Sequence, residues 1–362
     1  MTAHRPKKLV LVTPYYWPAI GGLEHYAHTI AKGLQAQGWQ VEVITSGKVA
    51  QTLTHEGIKI HKLATNLTFF NTPIGFTWTR QIKKLLADIK PDVINIHAPV
   101  PSMAIAAWRA AKSTPIVITY HAGSMRKGRI AADVPIWLFE HLVLPRMFAS
   151  ARHIIASSAF VQNSFLKPWE TKTSVVTPGV DTQRFKSTDR TDFSSPVKLT
   201  FVGDARDSRK GLAVVLEAMA ALPDCRLDVI GQAPEQPQER VNYVGQLAGE
   251  DLVSAYQTAD IVILPSTTNA ESFGMTLLEG MACGRPVIGS HIGGIPTLIE
   301  DGINGLLVAA GDADALVDAI ERLKTDPALA RKLGHNGRQT AVVKYDWRSR
   351  IKQTATILEA SS

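Results

Sequence analysis

The chain has 362 residues, 45% hydrophobic and 20% charged, the make-up of a folded globular protein and not of a disordered one. That length suits two domains, and two cysteines, Cys225 and Cys283, in apolar surroundings exclude a disulfide framework or a cysteine zinc cluster. The net charge of +7 is unevenly placed: residues 1–190 hold 23 Lys/Arg against 10 Asp/Glu, residues 191–362 hold 16 against 22.

A basic excess confined to one half suggests a face for an anionic partner. No nucleic-acid-binding motif accompanies it, so an anionic membrane or acceptor is expected, and no nucleic acid. The apolar runs are strand length, and MTAHRPKKLVLV enters a strand at once, without a signal peptide. A cytoplasmic protein, at most peripheral on the cytosolic membrane face, is expected.

Lys7 to Thr13 is the first strand, followed by the loop Pro14 to Gly22 and a helix. Leu23, Tyr26, Ala27, Ile30, Ala31 and Leu34 keep helical spacing, and Gly38 ends the helix. Val41–Ile44 is the next strand, but the tight G-x-G-x-x-G turn of nicotinamide enzymes is absent. Gly21-Gly22 before the helix either makes a flexible turn and cap or lets backbone approach a ligand.

Gly75 to Lys90 reads as an amphipathic helix. Trp78, Ile82, Leu85, Leu86 and Ile89 form its apolar face, with Arg80, Lys83, Lys84 and Lys90 as its charge. Such a helix packs on a sheet or meets anionic lipid. Asp92–Ile96, Pro115–Tyr120 and His153–Ala156 are further strands, with His97 and His121 at carboxyl ends, where doubly wound sheets bind ligands. A strand-end histidine is also an ordinary structural hydrogen-bonder. His25, His28, His141 and His153 show no metal-ligand spacing. Arg126-Lys127-Gly128-Arg129 adds a second basic cluster.

A polar stretch, Lys186 to Pro196, joins the halves. Val197–Gly203, the helix Leu212–Leu222, Leu227–Gly231, Val241–Gly245, the helix Glu250–Thr258 and Asp260–Leu264 give a second strand–helix alternation. A loop carrying Glu271-Ser272-Phe273-Gly274 then opens onto a helix over Met275–Cys283, stopped by Gly284 and Pro286. Free N–H groups at Gly274, Met275 and Thr276 make a site for an anion, most naturally a phosphate. Glu279 lies roughly 7 Å into this helix, about the reach from a distal phosphate to a ribose. Taken alone, it reads as a solvent-facing residue.

The E-x7-E segment from Glu271 to Glu279, the loop string PYYWPAIGGLE, His121 in TYHAG, VVTPGVD and Lys210-Gly211 in SRKG together resemble glycosyltransferase family 4. The resemblance covers roughly Lys8 to Trp347 and includes Gly293-Gly294 and the stretch Asp301 to Leu306. It implies an α/β, GT-B fold: two Rossmann-like domains facing across a cleft, with a C-terminal helix crossing back to the first. Residues 1–186 with 347–362 would bind acceptor, and residues 187–346 the nucleotide sugar.

It further implies a retaining hexosyltransferase, moving a hexose from GDP-mannose or a UDP-sugar to an anionic, lipid-linked or saccharide acceptor with an α-linkage. No cofactor is expected beyond the donor, and no metal, because no Asp-x-Asp stands in a ligand loop. Catalytic roles fall to His121, Lys210 and Glu271. Donor binding falls to Gly21, Gly22, Arg206, Lys210, Phe273, Gly274, Met275, Thr276 and Glu279. Asp204 departs from the family's Gly-Arg and must point away or be neutralised, with Arg206 preferred over Arg209 as the replacement charge. It leaves open, as an alternative, a catalytically weak or inactive nucleotide-sugar-binding protein. Gly231-Gln232-Ala233-Pro234 likewise alters the family's G-x-G-P element.

Overall fold

A computed structural model describes residues 5–19, 21–69, 72–123, 125, 130–188, 193–232 and 238–362. The basic cluster at 126–129 and the Ala233-Pro234 step lie outside them. The chain forms two compact units, Met1–Val176 with Arg348–Ser362, and Thr177–Trp347.

The first unit contains β1 (Lys8–Val12), β2 (Gln40–Gly47), β3 (Gln51–His55), β4 (Ile58–Ala64), β5 (Leu67–Phe69), β6 (Thr72–Ile74), β7 (Val93–Ala98), β8 (Ile116–Tyr120), β9 (His153–Ala156) and β10 (Thr173–Val175). Eight form one sheet in the order β10-β9-β8-β7-β1-β2-β4-β3, and β5-β6 is a separate ribbon. Every pairing in the large sheet is parallel except β3 with β4 at its edge. The central strands are runs of Val, Ile and Leu because helices cover both faces. The helices of this unit are α1 (Gly22–Ala36), α2 (Trp78–Ile89), α3 (Pro101–Ala110), α4 (Ile130–Leu138), α5 (Leu144–Ser150) and α6 (Ala159–Phe165).

Helix α1 buries Tyr26, Ala27, Ile30, Ala31 and Leu34, the spacing seen in the sequence. The C-terminal helix, Trp347–Ser361, packs here too: a Cβ on Gly33 would meet Ile351 at 2.2 Å, and Lys7 Nζ donates to Glu359 O and Ser362 Oγ. In α2 the apolar face serves the core. Trp78 is fully buried and its Nε1 donates to Ala64 O at 2.8 Å, so it is no membrane anchor.

The second unit contains β11 (Val197–Val202), β12 (Cys225–Ile230), β13 (Val241–Gly245), β14 (Ile261–Leu264), β15 (Val287–Ser290) and β16 (Leu306–Val308), all parallel, in the order β13-β12-β11-β14-β15-β16. Its helices are α7 (Leu212–Ala218), α8 (Gly249–Thr258), α9 (Met275–Ala282), α10 (Ala313–Thr325) and α11 (Pro327–Lys344). Helix α7 is shorter than the sequence suggests, ending in a 3-10 turn over Met219–Ala221.

This unit begins at Thr177, ahead of the position 187 expected from sequence. The Arg338 guanidinium donates to the carbonyls of Thr182, Phe185 and Ala282, and the Phe185 side chain joins the second core. Residues 177–186 are therefore its first packed segment. Both sheets reverse strand order beside their founding strand, between β1 and β7 and between β11 and β14. Crevices at the carboxyl ends open at such reversals.

Candidate active site

At the β11/β14 reversal, Lys210 leaves a single 3-10 turn, Ser208–Lys210, and its Nζ donates to Glu271 Oε2 at 2.7 Å. Gly211 brings them together. Its φ is +79° and a Cβ there would meet Pro265 O at 1.8 Å, so only glycine lets this turn press against the end of β14. Gly274 caps α9 with φ +95° and gives its N–H to Glu271 Oε1 at 3.1 Å. Burial opposes the charge on Glu271, but the Lys210 ammonium and the N–H groups of Gly274 and Phe273 outweigh it and hold the carboxyl below its ordinary range. The Glu271 carboxylate in turn raises the pKa of Lys210.

Helix α9 begins at this ion pair. Among the described residues, the backbone N–H groups of Met275 and Thr276 take no protein acceptor. The Thr276 hydroxyl is turned inward to Val202 O at 3.0 Å, and the Phe273 ring is buried against Tyr345. The loop thus offers a ligand its backbone and the Lys210 ammonium, not the Phe273 or Thr276 side chains.

Glu279 is half-buried and hydrogen-bonded, not a freely solvated side chain. Burial raises its pKa to about 7, moderated by a 2.6 Å hydrogen bond from the Tyr256 hydroxyl and by the Arg184 charge. Tyr256, fully buried on α8, is a partner that sequence reading missed. Asp204 is neutralised: Arg206 clamps both its oxygens at 3.0 Å in an exposed fork. Arg206 is therefore not gathered to the Lys210–Glu271 pair. Arg209, forked to Asp207 at 2.8 Å, is the arginine whose charge also feels Glu271. Exposed ion pairs are worth about 0–1 kcal/mol, little enough for an anionic ligand to reopen.

In the first unit, Gly22 opens α1, and a Cβ there would meet no atom within 4 Å among the described residues. The packing of this unit leaves that position open. His121 follows β8, its Nε2 3.2 Å from His97 Nδ1, and His97 Nε2 lies 3.0 Å from Asn95 Oδ1.

Spacing along the chain gave no hint of one further cluster, His28, His55 and Glu56, whose ligand atoms lie within 4.8 Å of one another. The β3–β4 hairpin folds the last two onto α1. Glu56 is already shared by Lys32 at 3.0 Å and His28 at 3.4 Å, so a cation occupies that carboxylate.

Two doubly wound domains, one with an anion-ready helix start at a strand-order reversal, make a GT-B fold. Solved chains agree on the fold. The sucrose-phosphate synthase from Thermosynechococcus elongatus matches with a TM-score of 0.82 at 23% identity, over 98% of this chain and 100% of that one. HepE from Anabaena, in complex with UDP and glucose, matches with a TM-score of 0.78 at 19% identity, over 98% and 100%. In sequence, residues 20–184 match the family described as Glycosyltransferase Family 4, and residues 183–340 match Glycosyl transferases group 1. The O-antigen chain mannosyltransferase C of Escherichia coli is 28% identical over 352 residues, covering 90% of each chain. The chain belongs to glycosyltransferase family 4 and is a glycosyltransferase. With an enzyme of this family and Asp204 already paired, no observation favours the non-catalytic alternative.

Proposed function

We propose that this enzyme moves a hexose from a nucleotide-diphosphate sugar, GDP-mannose or a UDP-sugar, to a lipid-linked or saccharide acceptor, retaining the α configuration and using no metal. The observation that carries this reading is the Lys210–Glu271 pair beside the open N–H groups of α9. Breaking the bond between the anomeric carbon and phosphate puts charge on a diphosphate. An ammonium and a helix start oppose that charge where it grows. Glu279 accepts from the ribose diol, and Glu271 holds Lys210 and faces the reacting centre. The second domain takes the donor and the first the acceptor, with Gly21-Gly22 admitting the distal phosphate and His121 the donor sugar.

HepE was solved with UDP and glucose, and the E. coli relative is named a mannosyltransferase, which supports a nucleotide-sugar donor and a hexose. No helix of the described residues is long and apolar enough to cross a membrane. Arg80, Lys83 and Lys84 are exposed on α2, which suits peripheral contact at the cytosolic membrane face.

A thermal-stabilisation screen of UDP-, GDP- and ADP-sugars, followed by release of the nucleoside diphosphate with and without EDTA, tests the reading. One donor class should raise Tm and be turned over with chelator present. Activity lost to EDTA and restored by magnesium or manganese would overturn the metal-free chemistry. No stabilisation by any donor would overturn the donor assignment.

A further inference from the structure

A polar column runs through the apolar sheet of the first domain. Alternate strand residues share a face, so Asn95 and His97 stand together on β7, and Thr119 and His121 stand together at the end of β8. The register sets His97 opposite Thr119. Asn95, His97 and Thr119 are each only 1% exposed, so their polar atoms must be satisfied inside the protein.

The direction of these hydrogen bonds is fixed from one end. The Val117 carbonyl can only accept, so the Asn95 atom 3.1 Å from it is Nδ2, which also donates to Thr119 Oγ1 at 2.9 Å. Asn95 Oδ1 is then the acceptor facing His97 Nε2 at 3.0 Å, and His97 carries its proton on Nε2. Its Nδ1 has the lone pair and lies 3.2 Å from His121 Nε2, so His121 donates there and keeps its own lone pair on Nδ1. Burial keeps both rings neutral, pushing His97 well below its ordinary value and His121 down to about 3. The Tyr26 ring packs edge-on against His121 at 4.7 Å, restricting its rotation. Among the described residues, no protein group bonds His121 Nδ1.

We propose that Asn95 and His97 are positioning residues that hold His121 as its Nε2–H tautomer, so that His121 Nδ1 accepts a hydrogen bond from a hydroxyl of the transferred sugar. The inference rests on the reading of His121 as a donor-sugar contact. A lone pair aimed at the sugar selects a neutral hydroxyl and disfavours a carboxylate. The donor class it fits is a neutral hexose, not a uronic acid.

Long-range 1H–15N correlation NMR on the full chain with labelled histidine reads each tautomer, and His121→Phe assigns the His121 signals. His121 should show Nε2–H and an unprotonated Nδ1 at neutral pH. Asn95→Leu should give mixed tautomers and lower kcat about tenfold, a loss of ~1.4 kcal/mol, for nucleotide release from UDP-glucose or GDP-mannose. His97→Phe, which keeps a ring in place, serves if that variant fails to fold. A wild-type His121 protonated on Nδ1, or an unchanged tautomer in both variants, would overturn the relay even if His121→Phe abolishes turnover. Unchanged turnover in His121→Phe would instead overturn the donor-contact reading, whatever the tautomer. Equal binding of UDP-glucuronate and UDP-glucose would overturn the sugar selectivity.

Discussion

The second domain sets Lys210 against Glu271 at 2.7 Å beside a helix start, whereas the first sets His97 against His121 at 3.2 Å within a sheet. Both pairs lie at or beyond the carboxyl ends of parallel strands, the Lys210–Glu271 pair beside the β11/β14 reversal and the His97–His121 pair at β7 and its outer neighbour β8, in doubly wound domains. The charged pair is sustained because each ion has its partner and Glu271 also has backbone donors; a buried charge without these is costly. The imidazole pair needs no counter-charge, since burial holds both rings neutral and a chain of hydrogen bonds fixes their protons. In the proposed reading the charged pair meets a diphosphate and the imidazole pair a sugar hydroxyl. Charge-changing substitutions should therefore act mainly on the first of these, and changes of hydrogen-bond direction on the second.

The largest expected effect tests the charged side. Lys210→Ala should lower turnover about 100- to 1000-fold, as when an oxyanion donor is lost. It also orphans Glu271, so Tm should fall. Lys210→Met combined with Glu271→Gln leaves no buried charge unpaired and should recover Tm without recovering turnover. Recovery of both would mean that the pair is only structural.

The two carboxylates should separate next. Glu279→Ala should weaken donor binding, about tenfold or more for a lost hydrogen bond to a charged group, with kcat less affected. Glu271→Ala should lower kcat more than affinity if, as proposed, it faces the centre where charge develops. Matching effects on both constants would sink the assignment.

Their pH behaviour should differ in sign. Glu279 has a folded pKa of about 7 against an ordinary 4.5, so between these values the folded protein binds more protons than the unfolded chain. Its contribution to stability therefore declines as pH rises from 4.5 through about 7 and is level above. Glu279→Gln should be more stable than the wild type at pH ~8, by about 1–3 kcal/mol, and little different at pH ~4. Glu271 is lowered, so its contribution holds above its unfolded value and is lost as pH falls through the folded one. Melting curves of Glu279→Gln and Glu271→Gln against pH would show opposite trends; parallel ones would break the comparison.

Much of this was legible in the chain. Short runs such as Ile261–Leu264, ended by loops and followed by helical spacing, mark a buried parallel sheet, and Glu271 through Thr276 mark its helix start. The surroundings of Glu279 were not legible, because Tyr256 arrives from a helix 23 residues away. Periodicity identified the apolar face of α2 but not what covers it, and Trp78 turned out to be core. The antiparallel β3–β4 edge went unread because Gln51–His55 is mostly polar, and with it went the meeting of His55 and Glu56 with α1. His97 and His121 were read as strand-end residues, but only the register of β7 with β8 joins them to Asn95 and Thr119.

The smallest effect concerns the outer surface of the first domain, where charge has no buried partner to sharpen it. With Trp78 in the core, α2 has no aromatic anchor, and what it offers outward is Arg80, Lys83 and Lys84. Contact with lipid through these three residues is electrostatic, at about 1 kcal/mol per basic residue near an anionic surface. Such binding must fade as the Debye length shrinks from ~10 Å at 0.1 M salt to ~3 Å at 1 M. Co-sedimentation with anionic vesicles should be clear at low salt and small at high salt, while neutral vesicles bind little at either. Reversing all three residues to Glu should remove much of the low-salt binding and leave donor affinity unchanged, since none of the three is among the proposed donor contacts. Binding that persists at 1 M salt would require an apolar contact elsewhere on the protein. If anionic and neutral vesicles are ignored alike and the triple reversal shifts only the KM of an acceptor, the basic face steers a soluble substrate instead.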